Sequence, residues 1–267
     1  MIMGVETQEV KHLKVGTLKL EVYPSRKAAG EAAARAAADA LNQLVSHGND
    51  IAVIFATGAS QLDMLCALTS MPNLPWNKVS GFHLDEYVGI SSDHSASFRR
   101  YLRENLTRRV PMQKFFEING NAENLDAVCT DYSAKLRAVN PQLCLLGIGE
   151  NGHLAFNDPG EANFEDPNDI KIVKLDSMCR KQQVAEGWFP RLEEVPERAI
   201  SLTIPAIFRV PKLIISVPGP RKAKSVRRTL EDPISTDCPS TILRRHPDAT
   251  VYLDMESAAE LGGVPST

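Results

Sequence analysis

The chain has 267 residues, 43% hydrophobic and 24% charged, which supplies a sizeable core and excludes a disordered chain. Its 30 Lys and Arg against 33 Asp and Glu give a net charge of −3, so there is no basic excess to hold nucleic acid. No apolar run approaches the ~20 residues of a membrane span, and the stretch up to Gly16 lacks the apolar core of a signal peptide.

Residues 1–14 are polar and show no pattern. Val15–Tyr23 alternates as a strand. Ser25–His47 is alanine-rich and interrupted only by Gly30; it is expected to be a long helix closed by Gly48 and packed on a sheet. Asp50–Ala56 is a buried strand that runs into Thr57-Gly58-Ala59-Ser60, with Gln61–Leu68 helical. Free backbone N–H groups and the helix dipole point at this turn, an arrangement suited to an anion, and the Thr57 and Ser60 hydroxyls can add bonds. A plain N-cap by Ser60 explains the stretch equally well. The missing Gly-Lys-Ser/Thr ending excludes a P-loop.

Lys78–Phe82 leads a third strand into Asp85 and Glu86. Adjacent carboxylates on an extended chain point to opposite faces, so at most one enters a site. A helix is expected from Asp93-His94-Ser95 to about Asn105. A short strand (Phe115–Ile118), a turn (Asn119-Gly120) and an amphipathic helix (Ala122–Val139) follow.

Leu143–Leu146 is an apolar run short enough for a fully buried strand. It breaks into Gly147, Gly149 and Gly152, then delivers His153, whose proton exchanges near neutral pH, and Asp158, placed to orient that imidazole. A strand ending in glycines, a histidine and an acid is how open α/β sheets build sites. The spacing Gly147-x-Gly149-x-x-Gly152 formally matches a dinucleotide fingerprint. That fingerprint must open a helix, and Phe156–Gly160 is turn chemistry, which sets a nucleotide-binding oxidoreductase back.

Glu161–Asp169 is an acidic loop. Residues 170–190 hold a short strand, then Arg180, Lys181 and Trp188, and residues 160–190 are expected to form a lid-like insertion. Ala199–Leu202 begins a strand-like or turn segment and Ile204–Arg209 a short helix. The buried strand Pro211–Val217 runs into Gly219-Pro220-Arg221-Lys222 and a helix to Leu230. Cations at a helix N-terminus are opposed by the dipole, so a bound anion would explain Arg221 and Lys222. Asp248–Asp254 is the last strand. Strands and helices alternate without repeat or linker. The expectation is one α/β domain spanning 1–267: an open, mostly parallel Rossmann-like sheet with helices on both faces and a lid. The cysteines (Cys66, Cys129, Cys144, Cys179, Cys238) contain no Cys-x-x-Cys pair and read as reduced thiols, with Cys66 and Cys144 in the core; a cytoplasmic protein is expected.

Three stretches together resemble the glucosamine-6-phosphate deaminases, which share a fold with the 6-phosphogluconolactonases: Phe82–Gly89 (FHLDEYVG), Leu146–Gly160 (LGIGENGHLAFNDPG) and Gly219–Lys222 (GPRK). The resemblance covers roughly residues 20–260. It implies isomerisation and deamination of glucosamine 6-phosphate to fructose 6-phosphate, without metal or organic cofactor. It makes Asp85 the base at C2 and His153 the group that opens the ring, with Asn151 and Asp158 beside it as catalytic residues. Thr57, Gly58, Ala59, Ser60, Glu86, Gly152, Arg180 and Lys222 are then substrate-binding, Arg180 and Lys222 as the phosphate cations. The partner is a small phosphorylated amino sugar; homo-oligomerisation stays open. Two departures stand out: Asp158 where the family commonly has Glu, and Ala59 where it commonly has Gly. Alternatives are 6-phosphogluconolactonase, whose central loop typically reads Asp-Gly-His-Thr-Ala-Ser, a deaminase of a related hexosamine phosphate, and a non-catalytic sugar-phosphate sensor. The sensor would need a DNA-binding helix-turn-helix, for which the N-terminus is too short.

Overall fold

The computed structural model describes residues 10–46 and 50–262. Strand β1 (Lys11–Val15) turns at Gly16 into the antiparallel β2 (Leu18–Tyr23). The chain then alternates through α1 (Arg26–Ser46), β3 (Ile51–Phe55), α2 (Leu62–Ser70) and β4 (Val79–His83). Next come β5 (Asp85–Tyr87), α3 (Phe98–Leu102), β6 (Lys114–Phe116), α4 (Leu125–Val139) and β7 (Leu143–Leu146). The last third holds β8 (Ile170–Lys174), α5 (Ser177–Ala185), β9 (Arg198–Leu202), α6 (Ile204–Phe208), β10 (Lys212–Val217), α7 (Ala223–Glu231) and β11 (Ala249–Asp254).

Eight strands form one sheet in the order β1-β2-β11-β10-β7-β3-β4-β6, parallel throughout except for β1. The central strands are buried along their whole length, and their alternate residues feed two cores. Ile54, Cys144, Leu146 and Ile215 pack with Leu136, Ile207 and Val226 of α4, α6 and α7. Val53, Phe55, Leu143 and Leu145 pack on the other face with α1, α2 and α3. Helices on both faces of a parallel sheet are therefore the architecture, as the alternation of elements predicts. Among the described residues no helix is long and apolar enough to cross a membrane.

The structure departs from the expected elements in four places. The stretch predicted as one strand, Val15–Tyr23, is divided by a turn at Gly16 (φ 62°), and part of the stretch that showed no pattern is strand β1. This edge strand has no buried residue, so it leaves no hydrophobic alternation to find. The helix expected from Asp93 begins only at Phe98, where the Ser97 side chain accepts the Arg100 N–H. Cys66 is exposed rather than in the core, whereas Cys144 is buried. Finally, β5, β9 and β8 form a separate antiparallel sheet that joins Asp85–Tyr87 to the segment after the central loop. The expected helix closure at Gly48 lies outside the described residues.

Helix α1 presents Ala29, Ala33 and Ala37, all buried, and Gly30 lies against α2. A Cβ at Gly30 would stand 2.6 Å from the Asp63 Cβ and 3.1 Å from the Met64 nitrogen. Helix propensity alone would make Gly30→Ala stabilising by about 1 kcal/mol. The collision with the α2 backbone reverses the sign, and we expect a loss of about 1–3 kcal/mol in denaturant unfolding; a gain in stability would show that α1 and α2 can separate freely.

Candidate active site

In chain order the sheet grows outward from β3 through β4 to β6, then returns to β7 and grows the opposite way through β10 and β11. Strand order thus reverses between β3 and β7, and crevices form beyond the carboxyl ends of strands at such a point. The turn after β3, the glycine loop after β7 and the turn after β10 all open there.

The two flanking turns share one backbone shape. Gly58 (φ 98°, ψ 168°) and Gly219 (φ 94°, ψ 157°) each start a short 3-10 turn that feeds α2 or α7. Positive φ at these positions is the conformation glycine adopts without strain. The first N–H groups of such a turn have no carbonyl behind them to bond. At the second turn the Gly219 N–H is already taken by the Asp254 carboxylate, at 2.9 and 3.2 Å. Among the described residues no carboxylate fills the equivalent position at Gly58. The turns are tied together across the end of β7: Gln61 Nε2 donates to the Ser216 carbonyl (3.2 Å) and Ser216 Oγ donates to the Ser60 carbonyl (3.3 Å).

A cavity of about 70 Å³ at this point is lined by Thr57, Gly58 and Ser60, by Asp85, His153 and Lys222, and by Gln182, Gln183 and Glu186 of the α5 segment. A groove of about 200 Å³ adjoins it, lined among others by Arg26, Ala59 and Arg221, and shares Ser60, Glu186 and Lys222 with the cavity.

Asp85 is 5% exposed, and no described side chain or amide donates to its carboxylate. Burial first, and the neighbouring Glu86 second, push its pKa well above the ordinary 3.8. His153 Nδ1 lies 2.9 Å from Asp158 Oδ1. Gly149 makes room for the ring: a Cβ there would stand 2.2 Å from the imidazole. Asp158 also accepts from Asn151 Nδ2 (2.9 Å) and from the Asp176 N–H (3.4 Å). Burial alone would raise the Asp158 pKa; the His153 charge and these hydrogen bonds outweigh it, and the group stays ionised below the usual carboxylate range. The shorter aspartate therefore reaches the histidine.

Lys222 is buried and makes no ion pair with a described residue. Burial, opposed by Glu186 and Glu150, lowers its pKa. An anion in the cavity would relieve that desolvation. Arg221, beside it, is held by Glu150 at 2.5 Å.

Donor atoms of His153, Asp158 and Cys179 lie within 4.8 Å of one another, a set of types that transition metals accept. The Cys179 thiol is pushed well above its ordinary pKa by burial, then by Asp158 and Asp176. A protonated thiol hydrogen-bonded to Asp158 describes the cluster better than a ligand set.

Several expected site residues fall elsewhere. Glu86 points away from the cavity: its carboxylate accepts from Ser97 Oγ (2.9 Å), the Phe98 N–H (3.1 Å), and both the N–H and Nε of Arg99 (2.9 and 3.2 Å). It anchors α3 and does not line the cavity. Arg180 donates through Nη2 to the carbonyls of Leu192 (2.8 Å) and Val195 (2.9 Å), outside the cavity. Asn151 does not line the cavity; its amide holds Asp158 and Asp176, and its oxygen accepts the His153 N–H. It is a positioning residue. Gly152 (φ 89°) packs against Cys238, where a Cβ would stand 2.5 Å from Sγ, and does not face the cavity. Ala59 lines only the adjoining groove. Conversely, Gln182, Gln183 and Glu186 line the cavity and were not expected there. Their i, i+1, i+4 spacing, after the buried Cys179, is the one signal in the sequence.

The α/β fold, with its crevice where the strand order reverses, is shared with solved structures. A 6-phosphogluconolactonase from Trypanosoma brucei superposes with a TM-score of 0.76 at 19% identity, covering 91% of this chain and 98% of that one. A monomeric glucosamine-6-phosphate deaminase superposes with a TM-score of 0.82 at 29% identity, covering 90% and 99%. Residues 24–252 match the family of glucosamine-6-phosphate isomerases/6-phosphogluconolactonase, and the chain belongs to it. The glucosamine-6-phosphate deaminase of Exiguobacterium sibiricum is 35% identical over 82% of this chain and 84% of its own. That of Clostridium perfringens is 33% identical over 86% and 96%.

Glu86 and Arg99 form a buried pair with 0% and 8% side-chain exposure. Removing one partner leaves the other charge uncompensated, so Glu86→Ala should cost about 3–5 kcal/mol in denaturant unfolding. A cost below about 1 kcal/mol would contradict an anchoring role.

Proposed function

We propose that this chain converts glucosamine 6-phosphate and water to fructose 6-phosphate and ammonia. The observation that carries the reading is an unpartnered buried carboxylate, Asp85, sharing one cavity with His153, Lys222 and the open amide turn at Gly58. Membership of the family and the deaminase names of the relatives support the choice of reaction.

The phosphate sits on the free N–H groups and hydroxyls of Thr57–Ser60 and on Lys222. His153 moves the proton between the ring oxygen and the C1 hydroxyl, and the Asp158 carboxylate, 2.9 Å from Nδ1, holds the imidazole in orientation. Asp85 then takes the C2 proton and returns a proton at C1. Water adds at C2 of the resulting imine, and ammonia leaves. An unpartnered carboxylate of raised pKa is a stronger base than one tied down by donors, which suits it to removing a carbon-bound proton. The cavity alone is smaller than the several hundred Å³ typical of ligand sites, so the sugar extends into the groove that shares Ser60, Glu186 and Lys222. Residues 160–190 carry α5 across this opening and act as the lid.

Ammonia release from glucosamine 6-phosphate, with 6-phosphogluconolactone assayed in parallel, tests the reading. Turnover of the lactone alone would reject it. Asp85→Asn should abolish isomerisation while sugar-phosphate binding survives; full activity would remove Asp85 as the base. Because the ionised form is the base and its pKa is raised, kcat/KM should fall as pH drops while still above the ordinary carboxylate value of 3.8. Lys222→Ala should raise KM by about ten- to a hundredfold, the loss of a charged contact of about 1.5–3 kcal/mol. An unchanged KM would put the phosphate elsewhere.

A further inference from the structure

The α5 segment turns one polar face into the crevice. Gln182 and Gln183 are buried there, and Glu186 closes the helix beside them. Glu186 is held in a fixed orientation: Oε1 accepts from Gln182 Nε2 at 2.7 Å and Oε2 from Trp188 Nε1 at 3.1 Å. Each carboxylate oxygen can accept more than one hydrogen bond, so both keep acceptor capacity.

A carboxylate beside an anion site opposes the anion unless it accepts from the same ligand. Glu186 lines both the cavity and the groove, as Lys222 and Ser60 do, whereas Asp85 and His153 line only the cavity. Glu186 also acts on the Lys222 charge without pairing to it. Taking the proposed function as given, Asp85 fixes C2 in the cavity and Lys222 with Ser60 fixes the phosphate on C6. His153 takes the ring oxygen. The remaining ring substituent nearest the phosphate-bearing carbon is the hydroxyl on C4.

We propose that Glu186 accepts a hydrogen bond from the C4 hydroxyl and selects glucosamine 6-phosphate over its C4 epimer, galactosamine 6-phosphate. In the epimer the hydroxyl leaves the ring in a different direction while C2 and the phosphate stay anchored. The fixed carboxylate is then left without its donor. A site built around a hydrogen bond discriminates strongly against a ligand that cannot make it. Gln182 and Trp188 are positioning residues for this carboxylate.

The test is kcat/KM for both epimers with the wild-type protein, Glu186→Gln and Glu186→Asp, with thermal unfolding of each. The wild type should prefer glucosamine 6-phosphate. Glu186→Gln should lower that preference by about tenfold or more, mainly through the glucosamine substrate, while still unfolding cooperatively. Glu186→Asp, which keeps the charge but withdraws it by one methylene, should fall between. A preference unchanged within about twofold in a folded Glu186→Gln overturns the inference and leaves the functional reading standing. If Glu186→Gln does not fold, an unchanged preference in Glu186→Asp overturns it equally. If the wild type turns over neither epimer, the functional reading fails and takes this assignment with it.

Discussion

The parallel pairing of β3 with β7 is the constraint on which the crevice depends. Val53, Ile54 and Phe55 register with Leu143, Cys144 and Leu145, so the two strands end side by side. Everything that faces the cavity from the sheet hangs on that register: the Gly58 turn on one side and the glycine loop with His153 on the other. Both strands are buried on both faces, so no residue in them can shift without exposing a core side chain on one face or the other. Gly147, just beyond β7, would bring a Cβ to 2.9 Å from Gln61 Nε2, which shows how closely the bridge between the turns lies over the strand end.

Asp85 and Glu86 divide two tasks between neighbouring residues. Extended backbone sends them to opposite sides of β5. Glu86 meets the N-terminal N–H groups of α3 and the Arg99 guanidinium, and so fixes the strand. Asp85 meets no donor among the described residues and carries a raised pKa. Glu86 thus fixes the strand on which Asp85 is held buried. The small antiparallel sheet adds to this, since Asp85 registers with Ser201 on β9, whose hydroxyl accepts the Phe156 N–H of the central loop. Asp85 and the loop that carries His153 are thereby connected through one piece of backbone pairing.

Much of this was legible in the sequence. Apolar runs ending in glycine marked β3, β7 and β10, and the side chains that follow them within a few residues, Thr57, Ser60, His153 and Lys222, do face the cavity. What was not legible required knowing which way a helix face turns. Cys179, Gln182, Gln183 and Glu186 share a face at spacings of three, four and seven; Arg180 is one residue on, about 100° round the helix, and is turned to the 192–195 carbonyls. The cation that the resemblance assigned to the phosphate therefore does not line the cavity. Glu86 was misplaced although strand alternation itself allows only one of the two carboxylates into the site. Asn151 and Gly152 sit in the central motif, but one holds Asp158 and the other packs on Cys238. The second sheet escaped notice because its pairings join segments far apart in the chain, and β5 is only three residues long.

The two turns at Gly58 and Gly219 share a backbone shape but differ in what their amides meet. Their backbones are nearly superposable in φ and ψ, through to Gln61 (−92°, −13°) and Lys222 (−93°, −11°). At the second turn the protein supplies its own carboxylate: Asp254, at the end of β11, accepts the Gly219 N–H and the Ser257 N–H and is fully buried. That intramolecular contact shows what such a turn accepts. At the first turn the next strand outward, β4, leads instead into Asp85, whose carboxylate is directed into the cavity and not onto the Gly58 amides. The same backbone geometry is therefore satisfied internally where β11 follows and left open where β4 follows. Lys222 is delivered by the filled turn and faces the open one, so cation and free amides meet across the end of β7, where a phosphate can bridge them.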